Sequence, residues 1–216
     1  TLALSVTSEG NVQPRVEMEL VTQVAGEVIS VASSLLTGGE FTAGDTLITV
    51  DPRDYEIALL RARSSLARAT AELNFAIEEQ VRVRALYAKE LASLAQLQAI
   101  ERAFLVAQSA EADAAARVSR AQIDLERTVL KAPFSGRVRD EAVDVGQFLQ
   151  KGRAVATLYD TERLEVRLPL ADAQLAYLDP EFANTGIASA DPIPVTLTAN
   201  YGGRQQSWAA QLLRSE

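Results

Sequence analysis

Glu78 with Glu79, and Glu111 with Asp113, are candidate carboxylate pairs, and Lys89, Lys131 and Lys151 are the three lysines. Paired carboxylates can divide acid and base roles, and a lysine can carry a covalent group. The usual companions of such chemistry are missing, because the chain has no histidine and no cysteine, and Met18 is its one thioether. That removes the commonest general base, any thiolate nucleophile or disulfide, and the usual ligands of zinc and copper. Both carboxylate pairs fall in a helix-forming stretch with no Gly-rich loop or base beside them. Catalysis is therefore not expected, and no cofactor or metal is.

A binding role has better candidates. Arg82 and Leu86 are four residues apart and share a helix face, and Ser93 follows just across a turn. A guanidinium, an apolar side chain and a hydroxyl gathered at an exposed tip could meet backbone carbonyls and a small groove on a partner protein. Each also has a plain structural role: Ser93 as a helix cap, Leu86 as cover for an interhelical seam, Arg82 as a solvated charge.

The elements that must position this trio are legible from texture. Residues 2 to 50 are β-branched and broken by glycines, and runs such as VEMELVTQV, GEVISVA and TLITV read as short strands. From Pro52 to about Thr128 Gly is absent, no further Pro occurs, and Ala, Leu, Arg, Glu and Gln dominate, which is helix composition. Pro133 closes that region and strand texture resumes at Gly136.

Within the helical region Tyr55, Leu59, Ala62, Leu66, Ala69, Leu73, Ala76, Gln80, Val83 and Tyr87 recur at alternating spacings of three and four. A second series runs Leu97, Ile100, Phe104, Ala107, Glu111, Ala114, Val118, Ala121 and Leu125, with Glu111 as its misfit. Two narrow, Ala-rich seams predict an antiparallel coiled-coil hairpin. Asp51 with Pro52 predicts the first helix start, Ser93 with Gln96 a capping box for the second, and Lys89 to Ala92 the turn. At ~1.5 Å per residue the hairpin would be roughly 54 Å long, more than a compact core needs. Reach is the better reason for it.

The β segments on either side of the hairpin repeat. Gly26 and Val28 match Gly136 and Val138, Gly38 matches Gly146, Gly44 matches Gly152, and Leu47 and Val50 match Val155 and Leu158. Glycines at fixed offsets predict tight turns, and two copies predict a pseudo-twofold β sandwich.

This pattern, G-x-V followed by G-x5-G-D, resembles the half-motif of lipoyl and biotinyl carrier domains, with Arg153 in the second half where the first has Asp45. Half, hairpin, half in this order resembles the HlyD/AcrA family of periplasmic adaptors, or membrane fusion proteins. VDPRDYEIAL and TVLKAPFSGRV resemble that family's joints between hairpin and lipoyl module. The resemblance implies an α+β multidomain fold: a lipoyl-like β sandwich split by the hairpin, plus a small β-barrel that is partial here. It places barrel strands at 1–20, lipoyl halves at 21–51 and 131–160, the hairpin at 52–130, and the rest of the barrel, with a short helix near Ala171 to Leu178, at 161–216.

The resemblance also implies a role. Arg82, Leu86 and Ser93 fit R-x3-L-x6-S, which in this family lies at the hairpin turn and is associated with docking onto a TolC-like outer-membrane channel. The other implied partners are an inner-membrane transporter, of resistance-nodulation-division (RND) type by the texture of LPLADAQLAYL and VTLTANYGG or alternatively an ABC exporter or type I secretion system. Further copies of the chain are implied in a ring, expected to be a hexamer. The implied location is the periplasm, with inner-membrane anchoring in the full-length protein. The cargo expected is drugs or other organic compounds, since heavy-metal adaptors would carry Met or His ligands.

Charge agrees with these classes. With 21 basic against 29 acidic residues and a net charge of −8, nucleic acid is not an expected partner. Between Pro52 and Lys131 the count is 12 basic to 11 acidic, which suits hairpins packed side by side. No stretch reaches the ~20 apolar residues of a membrane span. The chain opens and closes within predicted strands, so a longer precursor is expected. A carrier domain would need a modified lysine at the apex between the halves, where this sequence has the whole helical insertion, and Lys131 reads as leading into a strand. A purely structural coiled coil would explain the heptads but not the duplicated halves.

Overall fold

The computed structural model describes residues 6–171, 174 and 193–212. It divides into two compact units, Pro14–Leu164 and the remainder. The first holds two four-stranded sheets and the hairpin. Its strands are β2 (Glu17–Val21), β3 (Gly26–Val31), β4 (Glu40–Phe41), β5 (Thr46–Val50), β6 (Val129–Lys131), β7 (Gly136–Glu141), β8 (Phe148–Leu149) and β9 (Ala154–Asp160). One sheet has the order β2-β9-β7-β4 and the other β6-β5-β3-β8.

Those orders make the repeat physical. Strands β3, β4 and β5 of the first half correspond to β7, β8 and β9 of the second, and each half lends its shortest strand to the other's sheet. The hydrogen bonds duplicate as well. Gly44 N donates to the Ala132 carbonyl and Gly152 N to the Thr22 carbonyl, both over 2.8 Å. Gly38 N donates to the Val138 carbonyl, and Gly146 N to the Val28 carbonyl, again over 2.8 Å. Even the bulges match, at Val28/Ser30 between β3 and β5 and at Val138/Asp140 between β7 and β9. Alternating side chains from both halves close one core, in which Val28, Leu47, Val50, Leu149, Val155 and Leu158 are fully buried. Phe41 and Phe134 add a tilted aromatic contact, with ring centroids 6.1 Å apart.

Two expectations change. Strand β2, read as part of a barrel spanning residues 1–20, pairs antiparallel with β9 and buries Leu20 in the sandwich core. Likewise Val129 and Leu130, read as the hairpin's end, already belong to β6 and pair with β5. Both strands are the repeat's missing members, β2 answering to β6. The glycines also divide into two kinds. Gly44 (φ 91°) and Gly152 (φ 86°) turn the chain where an L side chain would be strained. Gly26 and Gly136 instead begin strands and lack room: a Cβ on Gly26 would come 2.5 Å from Val50 Cγ1, and one on Gly136 would overlap the Tyr159 carbonyl oxygen.

The hairpin consists of α1 (Arg53–Tyr87) and α2 (Leu94–Glu126), 35 and 33 residues long. At ~1.5 Å per residue α1 extends about 52 Å. Leu59, Ala76 and Gln80 of α1 and Ala114 of α2 are buried, and the other seam positions are half-buried, Glu111 included. The seam departs from the predicted series at its distal end, where Leu86 is half-buried and Tyr87 is exposed. At the root, Asp51 Oδ1 accepts from Arg53 N, the first residue of α1, over 3.0 Å, while Pro52 stands at the cap position without a side-chain cap bond.

In the second unit β1 (Asn11–Pro14) pairs with β10 (Leu164–Arg167), and β11 (Ile193–Tyr201) with β12 (Arg204–Leu212). The latter two form a hairpin through Gly202 and Gly203, both at positive φ, the two-residue turn that matches strand twist. Val195 and Leu197 stand opposite Ala210 and Trp208, giving that hairpin one apolar face. Of the short helix expected near Ala171 to Leu178, all but Ala171 and Gln174 lie outside the described residues.

Candidate functional site at the hairpin tip

Helix α1 ends by a backbone device with two signature bonds: Leu91 N donates to the Leu86 carbonyl and Glu90 N to the Tyr87 carbonyl, each over 2.9 Å. This termination needs its pivot residue in the left-handed region, a position usually given to glycine. Here Glu90 occupies it, at φ 59°, and holds a conformation that costs a side-chain-bearing residue about 1 kcal/mol or more. Helix α2 then starts with a complete capping box: Gln96 N donates to Ser93 Oγ over 3.2 Å, and Ser93 N donates to Gln96 Oε1 over 2.8 Å.

The trio sits around this turn. Arg82 donates from Nε to Glu79 Oε1 over 3.1 Å, and a second bond to Oε2 makes the pairing bidentate. That ion pair holds the Glu79 carboxyl below the usual carboxylate range and raises the guanidinium's pKa above its own. Leu86 is half-buried toward the seam, and Ser93 is engaged in the capping box. Two residues along, Arg84 Nη2 meets Glu101 Oε1 at 3.0 Å and clamps the distal ends of the helices in register. Leu91 and Leu94 are 71% and 56% exposed at the apex, beside the partly exposed Tyr87.

Nothing here assembles an acid–base pair. Glu79 is taken by Arg82 and Asp113 by Arg117, while Glu111 lies in the seam. Lys131 stands in β6 opposite Thr46, within a sheet and not at the apex of a turn. Lys89 is at the tip, and Lys151 lies in the turn before β9. Among the described residues no group of three or more acidic side chains is placed to hold a metal ion. The sequence reading took Glu79 for half of a carboxylate pair and not for the partner of Arg82, and it passed over Leu91 and Leu94. Glu79, three residues before Arg82, was a visible signal, and so was an apolar residue inside a predicted turn.

The model of the RND membrane fusion proteins' barrel-sandwich hybrid domain matches residues 16–161, the span of the paired sheets and the hairpin between them. The chain belongs to the RND membrane fusion protein family. Among curated relatives, the multidrug resistance protein MdtA of Klebsiella pneumoniae is 30% identical over 176 residues, which is 79% of this chain and 42% of that protein. MdtA of Yersinia pestis is 30% identical over 175 residues, 79% of this chain and 38% of that protein. The chain thus spans about two fifths of the length of these relatives. Among solved structures, the membrane fusion protein of Streptococcus pneumoniae R6 aligns at TM-score 0.63 and 19% identity, over 94% of this chain and 82% of that one. A MacA-MexA chimera carrying the Pseudomonas aeruginosa MexA α-hairpin aligns at TM-score 0.58 and 20% identity, over 94% of this chain and 63% of that one. Both share the fold: β sheets flanking a long helical hairpin.

Proposed function

We propose that this chain is the hairpin-bearing part of a periplasmic adaptor in a tripartite efflux pump, joining an RND transporter of the inner membrane to a TolC-like outer-membrane channel. The observation that carries the reading is a helical projection about 52 Å long, rooted in a sandwich at one end and displaying Arg82, Leu86, Ser93 and exposed leucines at the other. So long and thin an element buries little for its length, and its value lies in reach. The likeness to MdtA supports RND-type export of drugs or other organic compounds. The protein performs no chemical step of its own in this reading.

The adaptor works as a ring of copies, six in number by the family resemblance, with the sandwiches side by side and the hairpins forming a tube toward the channel. Phe75, Val81, Leu105 and Val106, all more than half exposed along the hairpin, support lateral packing, since isolated hairpins have no use for such surface. Anchoring to the inner membrane completes the arrangement. No described helix is long and apolar enough to cross a membrane.

Site-specific crosslinking tests this. Lys89→Cys places a reactive thiol at the tip while leaving Arg82, Leu86 and Ser93 in place. Capture of an outer-membrane channel from Lys89→Cys, and not from Ser119→Cys near the root, is the expected result. Equal capture from both positions, or none of a channel, sinks the reading.

A further inference from the structure

The turn that reverses the hairpin holds no residue that demands a turn. Residues 88–92 read Ala-Lys-Glu-Leu-Ala, all good helix formers, with no glycine, proline or asparagine among them. The reversal is held by backbone bonds around Glu90 at φ 59°, a conformation that favours glycine, and by the capping box of Ser93 and Gln96. The heptad does not stop there. Continued from Val83 and Tyr87 at spacings of three and four, it falls on Glu90, Leu94 and Leu97, and from Leu97 onward it coincides with every second position of α2's own seam.

Two pairings say what could complete such a helix. In the sandwich, β4 of the first half pairs with β7 and β8 of the second with β3, so neither half finishes its sheets alone. Across the hairpin, Arg84 meets Glu101 at 3.0 Å. Seven residues beyond Arg84 is Leu91, and seven residues before Glu101 is Leu94, so the same register sets these two leucines against each other. Within one chain the turn keeps them apart, and they are 71% and 56% exposed.

We infer that the chain also forms a domain-swapped dimer, in which the turn opens into helix and the occupant of the exposed leucines is a second copy of this chain. Residues 53–126 then run as one helix of about 111 Å, at ~1.5 Å per residue, antiparallel to the same helix of the other copy. Each sandwich takes its first half from one chain and its second half from the other, keeping the strand pairings of the monomer. Opening exchanges the capping box and the turn bonds for those of a continuous helix, and it relieves Glu90. The gain is at the midpoint, where Leu91 of each copy covers Leu94 of the other. A short, strained loop between two parts that complete one another invites this exchange. Association entropy opposes it, so the closed monomer prevails when dilute. In the open form Arg82, Leu86 and Ser93 lie in mid-shaft and no apex remains. The inference does not depend on the docking function proposed above.

The test refolds the purified chain from denaturant at rising concentration and reads its mass by light scattering. The expected result is a dimer whose share grows with the concentration during refolding and which reverts only slowly on dilution, because exchange requires unfolding. Arg84→Cys/Glu101→Cys, joined by a short bis-maleimide, distinguishes it from a side-by-side dimer: swapped chains become covalently paired on a denaturing gel, while the monomer is linked only within itself. Glu90→Gly, which suits the turn and not the helix, is expected to weaken dimerisation about ten-fold or more, and so is Leu91→Asn/Leu94→Asn with the monomer's thermal transition near that of the parent. Monomer alone at every concentration overturns the inference. So does a dimer whose crosslinks stay within single chains, or one that Glu90→Gly or the leucine variant leaves as tight as the parent's.

Discussion

Tyr55 donates its hydroxyl proton to the carbonyl oxygen of Ala25 over 2.7 Å, tying the first turn of the hairpin to the residue that precedes strand β3. Tyr55 also opens the seam, so one side chain joins the coiled coil to the sandwich. Tyr55→Phe removes only the hydroxyl and is expected to cost about 1 kcal/mol in thermal unfolding. Spin labels on the sandwich and the distal hairpin should report a broader distance distribution in this variant, with the mean helix content unchanged.

The root is also pH-dependent. The Arg53 side chain, and then its backbone N–H, hold the Asp51 carboxyl below its ordinary value near 3.8. A carboxylate with a depressed folded-state pKa stabilises above its ordinary value, and that contribution is lost as pH falls through the lower, folded-state value. An NMR titration should therefore show the Arg53 amide losing its hydrogen-bonded shift only at pH below about 3.8. In Asp51→Asn the same amide should give no such step.

At the tip, Glu90→Gly relieves the left-handed strain and is expected to stabilise the hairpin by roughly 0.5–1 kcal/mol, measured by thermal denaturation. A loss of stability in this variant would show that the Glu90 side chain, and not its backbone, matters there.

Within the sandwich, Gly136→Ala forces a Cβ onto the Tyr159 carbonyl oxygen across the β7–β9 ladder. Destabilisation of about 2–3 kcal/mol is expected in denaturant unfolding. Ala43→Ser, in an exposed turn of the same unit, should stay within about 0.5 kcal/mol of the parent.

Arg82→Asp reverses the charge of a mostly exposed side chain whose intramolecular partner is one solvent-accessible carboxylate. Little stability is at stake in such a pair. Export should be abolished with the expression level and thermal transition near those of the parent, and resistance that persists would remove Arg82 from the docking role.

The hairpin was legible in the sequence because its seam repeats over some seventy residues without a glycine, and long periodic signals survive local noise. Its last turn was misread, Tyr87 for Leu86, because backbone bonds rather than the heptad decide where the final side chain points. The duplication was legible through its glycines, yet β2 and β6 escaped it. Glu17–Val21 and Val129–Lys131 are short, share only a leucine at equivalent places, and are defined by pairing with distant strands. Ser93 was found as a cap because capping is local chemistry. Gln96 was legible as its partner in the capping box for the same reason, and the structure adds the approach of Ser93 Oγ to Gln96 Oε1 at 3.3 Å.

The hairpin is fixed to its sandwich at one end, and this makes it a lever. An angular error of about 5° at the Tyr55 root displaces the apex by about 4.5 Å over a helix of roughly 52 Å, nearly a full helical turn. Aim is therefore set far from the contact. A substitution at the root that leaves every tip residue untouched can misdirect the tip as thoroughly as removing the leucines, and side-by-side neighbours along the shaft would serve to narrow that error.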